Sequence, residues 1–244
     1  MFAYNSGAMS FFNRFSFLTK TRTIRLVVPP EFNRNSPNVV KLMTPEDSGI
    51  WLLDRMRQQV GFENYSDTKL LDFGCGVRFS QALINTNFSI GQYVGVDVCR
   101  PMIKFLQKNV RNNRFSYHFV DAYHPNYNPG GSPLTHESRL PLTQTDFNLV
   151  CLFSVITHQS PEDSAIIFSL LRRHVRSDGH LFFTCFLDDS ISEYEDRSAD
   201  QNRGRCFYNS GFLTELVQTT GWRLIAKAPP NGPLIGDSFV FAAQ

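Results

Sequence analysis

Short runs of β-branched and aromatic residues alternate along this chain with stretches that carry apolar residues at helical spacing. The short runs predict buried strands, and a repeated strand–helix order predicts a parallel sheet with helices on both faces. The predicted strands are residues 69–73, 93–98, 116–120, 147–153 and 180–187, with 222–226 and 238–242 as a terminal pair. The sequence therefore predicts an α/β protein with a doubly wound, seven-stranded, mostly parallel sheet and an antiparallel strand at the C-terminal end.

Two short motifs predict helix starts. Thr44-Pro45-Glu46-Asp47 and Ser160-Pro161-Glu162-Asp163 each place a hydroxyl side chain before a proline, with an acid at the third helical position. Gly61 is expected to end the first of these helices and Gly179 the second, because glycine is common just after a helix.

Residues 1–43 form a predicted N-terminal arm that precedes a single domain spanning residues 44–244. The first thirty residues contain basic and aromatic side chains without an acid, including Arg14, Lys20, Arg22 and Arg25. We expect this arm to cap the domain or to cover its active site. A transit peptide has the same character and is the alternative interpretation.

Two segments interrupt the strand–helix order without a secondary-structure pattern of their own. We call residues 123–139 the first insertion and residues 188–205 the second insertion. Both follow predicted strands at their carboxyl ends, where ligands bind in open α/β sheets. Long loops in a compact domain are commonly functional, so we expect both to lie at the active site.

Composition excludes several classes of protein. With 24 basic and 22 acidic side chains, the chain lacks the concentrated positive charge of a nucleic-acid-binding protein. No apolar run approaches the roughly 20 residues that cross a membrane. The five cysteines are odd in number and include no C-x-x-C pair, which predicts no metal site and a reducing, cytoplasmic environment. No sequence pattern marks an oligomer interface.

The most informative motif is the glycine turn, Asp72-Phe73-Gly74-Cys75-Gly76, between a predicted strand and a predicted helix. Glycines allow a tight turn and close approach of a ligand, and the helix start offers free N–H groups. Asp97 ends the next strand about twenty residues later, where an acid can accept hydrogen bonds from two ribose hydroxyls. Phe79 stands where the nicotinamide-dinucleotide fingerprint requires glycine or alanine, which disfavours a nicotinamide-dependent oxidoreductase.

This order of strands, glycines and acids resembles the class I S-adenosylmethionine-dependent methyltransferases, from about residue 51 to the C-terminus. The resemblance implies S-adenosylmethionine as the cofactor. It places Asp72, Phe73, Gly74, Cys75 and Gly76 at the methionine part, Asp97 on the ribose, Val98 on the adenine, Asp121 and Ala122 at the adenine amino edge, and Phe153 nearby.

Arg78 departs from the family pattern, which commonly has a third glycine there. Its guanidinium either points to solvent or pairs with the carboxylate of the cofactor, since arginine favours planar anions.

The resemblance implies methyl transfer to an oxygen or nitrogen of a small-molecule acceptor, mainly by proximity and orientation. His158 is the leading candidate for a general base, with a structural or cofactor-orienting role as the alternative; His124 and His136 are weaker candidates. The acids of the second insertion either attract an amine or form a solvated loop: Asp188, Asp189, Glu193 and Glu195. The alternative function is a catalytically inactive S-adenosylmethionine-binding regulatory or scaffold module.

Overall fold

The computed structural model describes residues 25–34, 41–197, 205–231 and 236–244. The strands in these ranges are β1 (Lys69–Phe73), β2 (Gln92–Asp97), β3 (Phe115–Phe119), β4 (Phe147–Leu152), β5 (Val175–Leu187), β6 (Tyr194–Asp196), β7 (Cys206–Tyr208), β8 (Trp222–Ala228) and β9 (Asp237–Ala243). The α-helices are α1 (Pro45–Val60), α2 (Arg78–Asn85), α3 (Arg100–Asn109), α4 (Pro161–Arg172) and α5 (Ser210–Gln218). Two short 3-10 helices span Pro30–Phe32 and Ile156–His158.

Strands β3-β2-β1-β4-β5 lie side by side and are parallel. Strand β9 pairs antiparallel with β5, and β8 pairs antiparallel with β9. These seven strands are the predicted sheet, so the predicted fold class is confirmed. The short strands β6 and β7 were not predicted; β7 runs parallel to the last residues of β5, and β6 pairs with β7.

Helices cover both faces of the sheet, as predicted. One face packs against α1, α2 and α3 through buried residues such as Leu53, Leu83 and Ile103. The other packs against α4 and α5 through residues such as Phe168 and Leu213. None of the described helices is long and apolar enough to cross a membrane.

Both predicted helix starts are confirmed. The Thr44 hydroxyl accepts a hydrogen bond from the Asp47 amide, and Ser160 does the same for Asp163, each at 3.1 Å. Gly61 ends α1 with φ +81°.

The prediction that Gly179 ends the second helix is wrong. Helix α4 ends at Arg172, and Gly179 lies inside β5. A Cβ atom on Gly179 would stand 2.4 Å from Val175 Cγ1 of the same strand and 3.0 Å from the Phe147 carbonyl oxygen of β4, so crowding within β5 and against β4 explains this glycine.

The described part of the N-terminal arm packs on the side of α2 and α3. Leu26 is buried, and its amide donates to the Asn85 side chain at 2.7 Å. The Phe32 ring lies 5.5 Å from that of Phe105. Residues 1–24 and 35–40 of the predicted arm, which include Arg14, Lys20 and Arg22, lie outside the described residues.

Candidate active site

The glycine turn lies at the carboxyl edge of the sheet, between β1 and α2. Gly74 has φ +76° and Gly76 has φ +51°, a left-handed conformation that favours glycine. The amides of Gly74 and Cys75 both donate to the Val96 carbonyl oxygen of β2, at 2.8 and 3.0 Å. These bonds fix the turn against the neighbouring strand.

The two glycines have different surroundings. A Cβ atom on Gly74 would lie 2.6 Å from Val155 Cγ2, so the segment that follows β4 packs directly on this residue. A Cβ atom on Gly76 would meet no atom of the described residues within 4 Å. As far as the described residues are concerned, the space above Gly76 is open.

Asp97 joins the turn to the end of β2. Its Oδ2 accepts a hydrogen bond from the Gly76 amide at 3.1 Å, and its Oδ1 accepts one from the Cys99 amide at 2.8 Å. The residue is only 3% exposed. Backbone donors thus hold a buried carboxylate beside the open space over Gly76.

Asp72 lies beneath the turn. Its carboxylate accepts hydrogen bonds from the Tyr93 hydroxyl at 2.6 Å and from the Cys151 thiol at 3.4 Å. Burial raises its pKa to about 7, although both hydrogen bonds oppose the shift. The Cys75 side chain is also buried, and burial raises its pKa well above the ordinary value, which disfavours the thiolate form. Phe73 packs into the core on the α4–α5 face.

Arg78, the first residue of α2, is half-buried. Its Cγ lies 3.5 Å from the position that a Cβ on Gly49 of α1 would take. Within the described part of the chain, its guanidinium has no hydrogen-bond or ion-pair partner. Burial lowers its pKa, as expected for a cation that has lost water without gaining an anion.

Asp121 and Ala122 follow β3, and the first insertion folds back on them. Asn128 Nδ2 donates to Asp121 Oδ1 and to the Ala122 carbonyl oxygen, each at 3.0 Å. Isolated bridges join Ala122 to Ser132 and His124 to Asn128. Asp121 remains exposed at the edge of the sheet, whereas Ala122 is buried.

Two apolar residues of the predicted site also lie at this edge. Val98 directly follows β2 and is partly buried. Phe153 directly follows β4, and its ring packs edge-on against Phe79 at 5.0 Å and in a tilted arrangement against Phe182 at 5.1 Å. Each of them lies at a strand end adjoining the glycine turn.

His158 is exposed at the end of the 3-10 helix that follows β4. The His124 ring lies 4.5 Å from the Tyr127 ring in the first insertion. Burial lowers the pKa of His124, and the nearby charges of His158 and Arg34 lower it further. The charge of Asp97 opposes this shift, and the net lowering of the pKa favours the neutral form of His124.

Residues 37–227 match the model of a protein family described as a methyltransferase domain. The match covers most of the chain. The chain belongs to this methyltransferase family.

Solved structures show the same fold for this methyltransferase chain. An S-adenosylmethionine-dependent methyltransferase from Mesorhizobium loti is 12% identical with a TM-score of 0.59, and the alignment covers 82% of this chain and 100% of that one. The 1,6-didemethyltoxoflavin-N1-methyltransferase of Burkholderia thailandensis, solved with bound 1,6-didemethyltoxoflavin and S-adenosylhomocysteine, is 15% identical with a TM-score of 0.54; the coverage is 84% and 81%. A glycopeptide N-methyltransferase is 12% identical with a TM-score of 0.56 and coverage of 83% and 92%.

Sequence reasoning missed two features of the candidate site. Arg34 of the N-terminal arm lies with its Nη1 3.4 Å from Asp97 Oδ2. Ser154 has φ +56°, and its amide donates to the buried Thr184 hydroxyl at 2.9 Å. Left-handed backbone at a non-glycine residue is uncommon and tends to cluster at active sites. No local sequence pattern marks either residue.

Three of the four candidate acids of the second insertion are engaged within the protein. Asp188 and Glu195 both pair with Arg197, and Asp189 accepts a hydrogen bond from the Ser210 amide at 2.7 Å. Hydrogen bonds from Ser190 and Arg197 lower the pKa of Asp188 to about 2. This pairing disfavours the amine-attracting interpretation.

His136 is misplaced for a general base. Its carbonyl oxygen accepts a hydrogen bond from Arg173, which directly follows the last residue of α4. That end of α4 lies next to the start of β5, at the amino edge of the sheet and opposite the glycine turn. This location disfavours His136 as the general base.

Proposed function

We propose that this methyltransferase domain binds S-adenosylmethionine and transfers its methyl group to an oxygen or nitrogen of a small-molecule acceptor. One observation carries the proposal: the open glycine turn and the buried Asp97 carboxylate are joined by the Gly76–Asp97 hydrogen bond. This arrangement fits a nucleoside with an amino-acid tail, because the turn offers backbone amides and the acid offers acceptors for a ribose diol.

Each predicted site residue has a role in this proposal. Gly74, Cys75 and Gly76 would hold the methionine part through their backbone, and Asp97 would hold the ribose. Val98, Asp121, Ala122 and Phe153 would line the adenine side. Phe73 and Asp72 would act from beneath by supporting the turn, since their side chains are enclosed by protein. The half-buried, unpaired Arg78 would pair with the cofactor carboxylate.

When bound, the sulfonium cofactor supplies an activated methyl group, so the chain mainly has to orient an acceptor and exclude water. The segment after β4 is placed for this task, because Val155 packs on Gly74 while Ser154 and His158 are exposed. His158 would take a proton from the acceptor or orient it, and neutral His124 is the second candidate for this role.

Titration calorimetry with S-adenosylhomocysteine tests the binding step. We expect Asp97→Asn to weaken affinity by about ten- to a hundredfold, the equivalent of losing about 1.5–3 kcal/mol of charged hydrogen bonding. Asp146→Asn is the matched control, because Asp146 is an exposed acid paired with Lys69 at the amino end of β4. Equal affinity for both variants would contradict the assignment of Asp97.

A labelled methyl-transfer assay with a metabolite extract tests the reaction. We expect label to enter small molecules with the native chain and to fall sharply with Asp97→Asn. Binding of S-adenosylhomocysteine with no transfer to any acceptor would instead support the inactive regulatory or scaffold module.

A further inference from the structure

The described part of the N-terminal arm delivers an arginine to the candidate cofactor site. It is anchored by buried Leu26 at Asn85, the last residue of α2, and by Phe32 at Phe105 of α3. Two residues after Phe32, the Arg34 guanidinium reaches Asp97 at the carboxyl end of β2. The arm therefore runs along the outside of the domain toward the edge that carries the glycine turn.

Arg34 has two partners there. Its Nη1 lies 3.4 Å from Asp97 Oδ2, and its Cζ lies 3.7 Å from the centre of the Tyr127 ring. A guanidinium this close to an aromatic face gains a favourable cation–π interaction. Arg34 thus links the arm to the first insertion directly above the buried acid.

The limited hydrogen-bonding capacity of Asp97 means that its contact with Arg34 affects what else the carboxylate can bind. A carboxylate offers about four acceptor positions. Three are taken, by the amides of Gly76 and Cys99 and by Arg34. A ribose diol needs two acceptors, so the ribose and Arg34 require the same carboxylate oxygen.

We propose that Arg34 is an affinity-setting residue of the cofactor site, and that it competes with the cofactor ribose for Asp97. This inference rests on the proposed function, because it assumes that Asp97 binds the ribose. Cofactor binding releases Arg34 from Asp97, while the Tyr127 ring remains as its second partner. The arm therefore opposes binding until the ribose displaces its arginine.

The test is titration calorimetry of S-adenosylhomocysteine with the full chain and the variants Arg34→Ala and Arg25→Ala. Arg25 is the matched control, because it lies in the same arm but pairs with Glu46 and has a side chain 74% exposed. We expect Arg34→Ala to bind about two- to fivefold more tightly than the native chain, the range that a partly exposed ion pair provides. Arg25→Ala should bind like the native chain.

A double variant makes the test specific. With Asp97→Asn as background, Arg34→Ala should no longer tighten binding, because the shared carboxylate is gone. The difference in S-adenosylhomocysteine affinity between Arg34→Ala and the native chain should also become smaller at high salt, because salt screens the ion pair.

The results that would contradict the competition can be told apart from those that would contradict the proposed function. Equal affinity of Arg34→Ala and the native chain would overturn the competition and leave the proposed function intact. Weaker binding by Arg34→Ala would also overturn it, by making Arg34 a ligand of the cofactor. If neither the native chain nor any variant binds S-adenosylhomocysteine, the proposed function itself fails, and the inference fails with it.

Discussion

Asp72→Asn should stabilise this protein at neutral and alkaline pH. The carboxylate is fully enclosed beneath the glycine turn, and its contacts are the Tyr93 hydroxyl and the Cys151 thiol rather than a cation. Burial therefore disfavours ionisation and raises its pKa to about 7. An asparagine has nearly the same shape, can still accept from Tyr93, and does not ionise.

The size of the effect follows from the pKa. Raising it from 3.8 to about 7 corresponds to about 4 kcal/mol, at about 1.4 kcal/mol for each factor of ten in proton affinity. Well below pH 4 the acid is protonated in both the folded and the unfolded chain, so its burial does not lower the free energy of unfolding. The cost grows as pH rises toward 7, because only the unfolded chain ionises freely, and it is constant above that pH.

Urea unfolding, followed by tryptophan fluorescence, can measure this cost, since Trp222 is fully buried. We expect the free energy of unfolding of Asp72→Asn to exceed that of the native chain, with the gap widening by about 2–3 kcal/mol between pH 5 and pH 8. Asp146→Asn is the control; a hydrogen bond from Lys69 lowers the pKa of Asp146, so this variant should not gain stability as pH rises. If the free energies of unfolding of the native chain and Asp72→Asn changed in parallel with pH, the reasoning would be refuted.

Four further substitutions test the turn and its surroundings. Gly74→Ala should destabilise the fold by more than about 2 kcal/mol, because it adds a clash with Val155 to the strain of a positive φ. Gly76→Ala should destabilise the fold by only about 1–2 kcal/mol, from backbone strain alone, but it should also reduce the affinity for S-adenosylhomocysteine. Chemical denaturation and calorimetry measure the two effects, and equal stability losses would argue against the Val155 contact. Arg78→Ala should weaken S-adenosylhomocysteine binding by about 1–3 kcal/mol without loss of stability, and unchanged affinity in calorimetry would remove its proposed role. Ser154→Gly should raise the melting temperature slightly by relieving its left-handed backbone, which a thermal melt can check.

Local patterns predicted the elements whose cause is local. Thr44 and Ser160 begin helices because a hydroxyl beside a proline and an acid satisfies the free amides of a first turn. Likewise, Gly74 and Gly76 predicted a turn because few other residues adopt a positive φ without cost.

The environment of Asp72 could not be predicted, since it depends on strand order. In the sheet, Asp72 stands opposite Cys151 of β4, and its other partner, Tyr93, comes from β2. The sequence shows only an acid next to glycines, which is equally consistent with a side chain that faces a ligand. Sheet register decides that the carboxylate faces the core.

Arg34, Gly179 and the short strands were missed for related reasons. Arg34 lies 63 positions from Asp97, and only the path of the arm along α2 and α3 joins them. Gly179 follows an apolar helical run, so it resembles a helix end until β4 is placed beside it. Strands of three residues, such as β6 and β7, carry too little alternation to be distinguished from a loop.

Strand β5 is long enough to pair with β4 and β9 and then, through Phe186 and Leu187, with β7. The segment after β5 is consequently a sheet extension rather than an interchangeable linker. Transplanting this segment between relatives would require β6 and β7 to be moved together, because they pair with each other. Junctions placed inside this pair of strands would expose backbone groups at the top of β5 and create an adhesive strand edge.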